Sequence, residues 1–168
     1  RHVRLETGLT MTGAHSILPP SSSARRKQCP ASTLRESLYP ETEESPEAAE
    51  GTAAHWALAE MLEGRTIAVG LIAPNGLYLT DEMVEGAEIA HEAIAAAVGP
   101  WGLKPSDGLV EKPVRIPRVH PESWGTPDYR CWHPALPLLF VADFKFGFGI
   151  VDEFENDQII EYTSGSVS

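Results

Sequence analysis

Between about Pro46 and Glu63 apolar residues recur at spacings of three and four, with Ala53, Trp56, Ala57, Ala59 and Leu62 forming one stripe. That period predicts a helix with one buried face. Pro46 suits a first helical position and Gly64 suits the residue that closes a helix. A second stripe, Met83, Ala87, Ala90, Ile94 and Ala97, predicts a helix from about Asp81 to Val98. Thr80 is placed to cap it, Asp81, Glu82 and Glu85 favour its positive end, and Gly99-Pro100 stops it. From Gly108 the period shortens to two. Val110, Lys112, Val114 and Ile116 predict an extended segment, which Pro113 and Pro117 push towards a sheet edge. Gly125 to Trp132 and Leu138 to Phe146 read as two strands joined by the turn HPALP. The run LLFVADFKF, nearly all apolar before its charges, predicts a buried central strand. A last helix is expected from about Asn156 into the tail.

The N-terminal part is less regular. Residues 1–20 have no period, end in Pro19-Pro20 and read as an irregular arm. Ser21, Ser22 and Ser23 offer caps for a short helix running towards Cys29, where Pro30 ends it. Residues 39–46, YPETEESP, read as a loop. There is no internal repeat. Helices, then strands, then a helix predict one domain over residues 21–168 of the α/β (α+β) class, with a small central mixed sheet flanked by helices.

A chain of 168 residues is long enough for one sizeable core. No apolar run approaches the roughly 18 residues that cross a bilayer, and no signal-peptide pattern opens the chain, so a cytoplasmic protein without membrane contact is expected. The first residue is Arg1, and an initiator Met is expected to precede it. Cys29 and Cys131 are too few for a disulfide framework or a four-cysteine metal site and read as reduced thiols.

The formal net charge of −11 counts against a broad nucleic-acid surface, because such affinity comes mainly from Lys and Arg meeting phosphates. The charge is unevenly placed. Glu36, Glu41, Glu43, Glu44, Glu47 and Glu50 form one acidic stretch, and Asp152, Glu153, Glu155, Asp157 and Glu161 a second. Arg25, Arg26 and Lys27 form a basic cluster, and Lys104, Lys112, Arg115, Arg118 and Arg130 lie around the middle. A local basic rim and a metal ion still allow an acidic protein to bind DNA, while each run also reads as a solvated face.

The candidate chemistry centres on Asp143 and Lys145. Two apart in a strand, they share a face, and Phe144 points the other way. Alone, the triplet reads first as a salt bridge. Asp128 lies fifteen residues earlier, on the preceding strand, and antiparallel pairing would bring the two carboxylates within a few ångströms. Close carboxylates repel unless a cation sits between them, and Mg²⁺ takes hard oxygen ligands. Such an ion acidifies a bound water and clamps phosphate oxygens, while a Lys orients the water or steadies the growing charge. His55, four residues after Gly51 on the same helix side, is a further candidate ligand that would tilt the site towards Mn²⁺. By itself it also reads as a polar residue on a helix surface, as does His91 among its acidic neighbours.

Five segments in order resemble RecB-like nucleases of the PD-(D/E)XK superfamily, in particular the phage and prophage branch related to CRISPR-associated RecB-like exonucleases. SSSARRKQCPAS (21–32) resembles the opening Ser-rich helix, EGTAAH (50–55) the helix motif ending in a metal-binding His, and GTPD (125–128) the second motif. ADFK (142–145) resembles the Asp/Glu-x-Lys motif and QIIEY (158–162) the final Gln-x-x-x-Tyr motif. The resemblance implies a restriction-endonuclease-like core and a Mg²⁺- or Mn²⁺-dependent deoxyribonuclease, expected to be an exonuclease, acting on phage or prophage DNA in a bacterial cytoplasm. It implies that His55, Asp128, Asp143 and the backbone carbonyl of Phe144 bind the ion, and that Asp128, Asp143 and Lys145 are catalytic. It places Gln158 and Tyr162, with Arg25 and Arg26 of the opening helix, near the DNA or in support of the site. Gln158 and Tyr162, four apart on a helix, would equally serve as a packing pair.

The chain departs from the pattern in two ways. Some relatives hold an iron–sulfur cluster on four cysteines; Cys29 occupies the first such place but no cysteine cluster follows, so no cluster is expected. Relatives usually continue through further helices, whereas this chain stops six residues after Tyr162. Either a C-terminally truncated product or a natural minimal form is expected, and a missing helix would leave an apolar face to be covered by a homo-oligomer or a protein partner. The charge and the short C-terminus motivate a different expectation, a nuclease-fold binding protein with little cleavage, such as a phage inhibitor of a host nucleoprotein defence complex. A third is a domain whose ion serves only to stabilise the fold.

Overall fold

The structure, a computed structural model, describes residues 16, 18–36, 38–39, 45–147 and 155–168. Residues 1–15 and 17 of the arm expected over 1–20, and the acidic residues at 41, 43, 44, 152 and 153, lie outside the described residues. A short 3₁₀ turn, Pro20–Ser22, leads into α1 (Ser23–Gln28), followed by α2 (Ser32–Glu36). The two long helices form where their stripes place them, as α3 (Pro46–Leu62) and α4 (Asp81–Val98). Their starts are fixed by hydroxyl caps: Ser45 accepts from the Ala48 amide and Thr80 from the Met83 amide. Ala53, Ala54, Ala57, Leu58 and Leu62 of α3 meet Met83, Ala87, Ile94 and Val98 of α4 in the main core. The alanines on this face leave little side-chain bulk between the helices.

Five short strands follow: β1 (Leu109–Val110), β2 (Val114–Arg115), β3 (Trp124–Gly125), β4 (Tyr129–Trp132) and β5 (Leu139–Ala142). They make a three-stranded sheet in the order β1-β4-β5 and a two-stranded one, β2-β3. The period of two then sorts the side chains. Tyr129, Cys131, Phe140 and Ala142 join the α3–α4 core. Val141 packs instead with Val114, Ile116 and Tyr162 of the last helix, α5 (Asp157–Ser166). The α+β layering is helix pair, sheet, helix. Among the described residues no helix is long and apolar enough to cross a membrane.

Three strand expectations are corrected. The pairings among the described residues are antiparallel, not mixed. Among the described residues, the apolar run that predicts a central strand forms the edge strand β5, and β4 is central, with Tyr129, Arg130 and Cys131 buried. Helices on both sides of β5 account for an apolar sequence at an edge position. The strand also ends at Ala142, so Asp143 and Lys145 stand just beyond it.

Gly125 of the GTPD segment is required by packing. A Cβ there would lie 2.7 Å from Pro20 Cδ and 2.8 Å from Tyr162 Cε1. Neither a proline ring nor a buried tyrosine can swing aside. Gly125→Ala is expected to destabilise the protein by about 1–3 kcal/mol, read as a lower midpoint in urea at unchanged slope.

Candidate functional site

Strand register assembles the site. Val110 pairs with Tyr129, and Tyr129 with Ala142. One step further along, Glu111, Asp128 and Asp143 stand in a row across the same end of the sheet. The Glu111 amide donates to the Asp128 carbonyl at 3.0 Å, which fixes the first pair of the row. Over it, α3 presents His55, whose Nδ1 lies 2.8 Å from Asp128 Oδ1. One ligand atom from each of His55, Glu111 and Asp128 lies within 4.8 Å of the other two.

Each member is held from behind. The Phe144 amide donates to Asp128 Oδ2, tying the end of β5 to the start of β4. The Phe144 ring packs on the His55 imidazole with centroids 5.3 Å apart. Phe144 thus meets Asp128 through its amide and His55 through its ring. Glu111 has a left-handed φ of 48°, a conformation costing a non-glycine residue about 1–3 kcal/mol.

Asp143 belongs to the other half of the row. Its carboxylate is ion-paired with Lys145 and accepts from Gln158 Nε2 at 2.9 Å. Gln158 Nε2 also donates to the Tyr162 hydroxyl at 3.3 Å, and that hydroxyl donates to the Thr126 carbonyl. The four-residue spacing of Gln158 and Tyr162 therefore both packs and reaches the site. The Lys145 side chain is half exposed and that of Asp143 nearly buried.

The electrostatics are those of crowded acids. Partial burial, then the charge and hydrogen bond of Asp128, push the Glu111 carboxyl up to about 7, although the residue keeps exposed surface. Burial raises Asp143, against the opposing pull of Lys145, and the Asp128 charge adds to the rise. Burial alone would lower His55, but the hydrogen bond and charge of Asp128 outweigh it and raise the imidazole. Burial pushes the Tyr162 phenol up to about 12. One imidazole and two carboxylates within reach of one another suit a divalent cation with oxygen and nitrogen ligands, Mn²⁺ or Mg²⁺.

The structure places neither arginine of the opening helix in this cluster. Arg26 is mostly buried, donating to the Pro19 carbonyl, Ser22 Oγ and Glu161 Oε1, so it braces α1 against α5. Arg25 pairs with Glu36 at the surface. Sequence reasoning missed Glu111. Its signal was a carboxylate directly after the last residue of a strand, between Val110 and the Lys112-Pro113 pair.

Two cavities adjoin the row. One, about 530 Å³, lies along α3 and is lined by Gly51, Trp56, His55 and Glu111 among others. The other, about 400 Å³, reaches Asp128, Asp143 and Lys145 past Phe140 and Phe144.

A family described as "Protein of unknown function (DUF2800)" matches residues 15–168. The chain belongs to the DUF2800 family. The matched span contains every candidate residue of the cluster in this DUF2800 protein, from His55 to Tyr162. No curated protein and no solved structure matches it significantly.

Proposed function

We propose that this DUF2800 protein is a divalent-metal-dependent deoxyribonuclease of the RecB-like PD-(D/E)XK kind, hydrolysing DNA phosphodiester bonds as an exonuclease in phage or prophage DNA metabolism. The observation that carries the reading is the row Glu111–Asp128–Asp143 with His55 above it and Lys145 beside it. Such a row is costly without a cation. His55, Glu111 and Asp128 would hold the ion, and Asp143, which the resemblance implied as a further ligand, would hold Lys145 beside it. When bound, a divalent ion acidifies a coordinated water and screens the phosphate charge.

The remaining work falls to the chain's own groups. Lys145 would offer its ammonium to a phosphate oxygen or to the attacking water. Asp143 keeps that ammonium near the row, and Gln158 keeps Asp143 from turning away. Tyr162 anchors Gln158 to the GTPD segment through Thr126.

Incubation of linear single- and double-stranded DNA with the protein tests this. Cutting is expected with Mn²⁺ or Mg²⁺ and is expected to stop with EDTA. Metal-independent cutting, or none, would count against it. One observation favours the competing reading, a binding protein on a nuclease fold. The net charge is −11, and Arg25, Arg26, Lys27 and Arg65 each have a carboxylate partner, which leaves them less available to phosphates. That reading expects no cleavage under any of these conditions.

A further inference from the structure

Gly51 is difficult to explain by the fold alone. It sits inside α3, where glycine is a poor helix former relative to alanine. Its φ is not left-handed, and a Cβ built on it would meet nothing within 4 Å. Neither backbone conformation nor packing asks for glycine here. What Gly51 does is line the cavity of about 530 Å³, one helical turn before His55. The same cavity is walled by Trp56, Thr52 and Ala48 and ends at Glu111. It therefore opens directly onto two of the three groups of the metal cluster, His55 and Glu111. Its size falls in the roughly 300–1,000 Å³ range of small-ligand sites.

We propose that this cavity is the subsite for the nucleotide beside the scissile phosphate, with its base unstacked from its neighbours and laid against Trp56, and with Gly51 as the clearance that admits it. The proposal rests on the nuclease reading and adds the substrate class: single-stranded DNA or a frayed duplex end. Two features support that occupant over a phosphate alone. The lining is mainly apolar, with an aromatic face of the kind on which any base stacks. The cluster at its end supplies a position for the phosphate through a cation. A base inside an intact duplex cannot reach such a pocket without leaving the stack.

The test uses the whole chain, Gly51→Ala and Gly51→Leu, with a fluorescent single-stranded 12-mer and a blunt duplex of the same sequence. Binding is read by anisotropy in Ca²⁺, so cleavage is not needed. The single strand is expected to bind at least tenfold more tightly than the blunt duplex, and Gly51→Leu to lose at least tenfold of that affinity. Gly51→Ala is expected to raise the melting temperature by roughly 2 °C, since only the helix gains, while also weakening the 12-mer. Mn²⁺ binding measured by calorimetry is expected to be unchanged in both variants. Equal binding of single strand and duplex, or full affinity in a folded Gly51→Leu, overturns the subsite and leaves the nuclease reading standing. Absence of Mn²⁺ binding by the wild type overturns that reading and the subsite with it.

Discussion

Replacing Lys145 by alanine is expected to slow DNA cleavage by about a thousandfold, near 4 kcal/mol of transition-state stabilisation. The size follows from its position. Its ammonium is the cation that pairs with the row's Asp143, and its side chain is half exposed. Being half exposed, it contributes little to the fold through its ion pair, so the melting temperature should hardly move. Lys145→Arg should recover only part of the rate. A planar guanidinium keeps the charge but replaces a compact ammonium with a fork that cannot take the same place. The comparison must be made at saturating Mn²⁺, so that a rate effect is not mistaken for poorer metal loading. Equal cutting by wild type and Lys145→Ala would mean that the observed nuclease is a contaminant or that the chemistry lies elsewhere.

The readable and unreadable parts of this molecule divide by the range of the forces involved. The helices α3 and α4 were legible because each carries a local signal over several turns, an apolar stripe bounded by Pro46 and Gly64 in one and by Thr80 and Gly99 in the other. The caps form as the residue types require, with Asn156 accepting from the Ile159 amide at the start of α5. The structure brings His55, Asp128, Asp143 and Lys145 to one end of the sheet, and their segments could be picked out as short motifs ordered along the chain. Glu111 could not be. It joins them through the β1–β4 register, and alternation in a stretch broken by Pro113 does not fix a register. The partner of Arg26 was hidden for a related reason. A basic residue in a Ser-rich opening helix is compatible with a DNA contact, but its partner Glu161 lies 135 residues away. The edge position of β5 was hidden as well, since an apolar run reports burial by helices and not the number of neighbouring strands.

The same register argument yields the other large effect, on metal affinity. Mn²⁺ is expected to bind the wild type and raise its melting temperature by roughly 5–10 °C at a hundredfold excess over Kd, an increase that EDTA reverses. Asp128→Asn is expected to weaken Mn²⁺ by at least a hundredfold. Asp128 holds the centre of the cluster, with one oxygen towards His55 and the other on the Phe144 amide. An asparagine preserves that shape and removes the charge. Glu111→Gln is expected to cost about tenfold, because Glu111 supplies an outer carboxylate. Asp143→Asn should cost less than either, since its carboxylate is engaged by Lys145 and Gln158. This ranking separates two placements of the ion. If Asp143→Asn proved as damaging as Asp128→Asn while Glu111→Gln bound normally, the ion would lie between Asp128 and Asp143, and the cluster with Glu111 would be only a proton-sharing pair beside it. If Glu111→Gln ranks second, the third ligand is a residue that no motif in the sequence announced, recruited by one step of strand register.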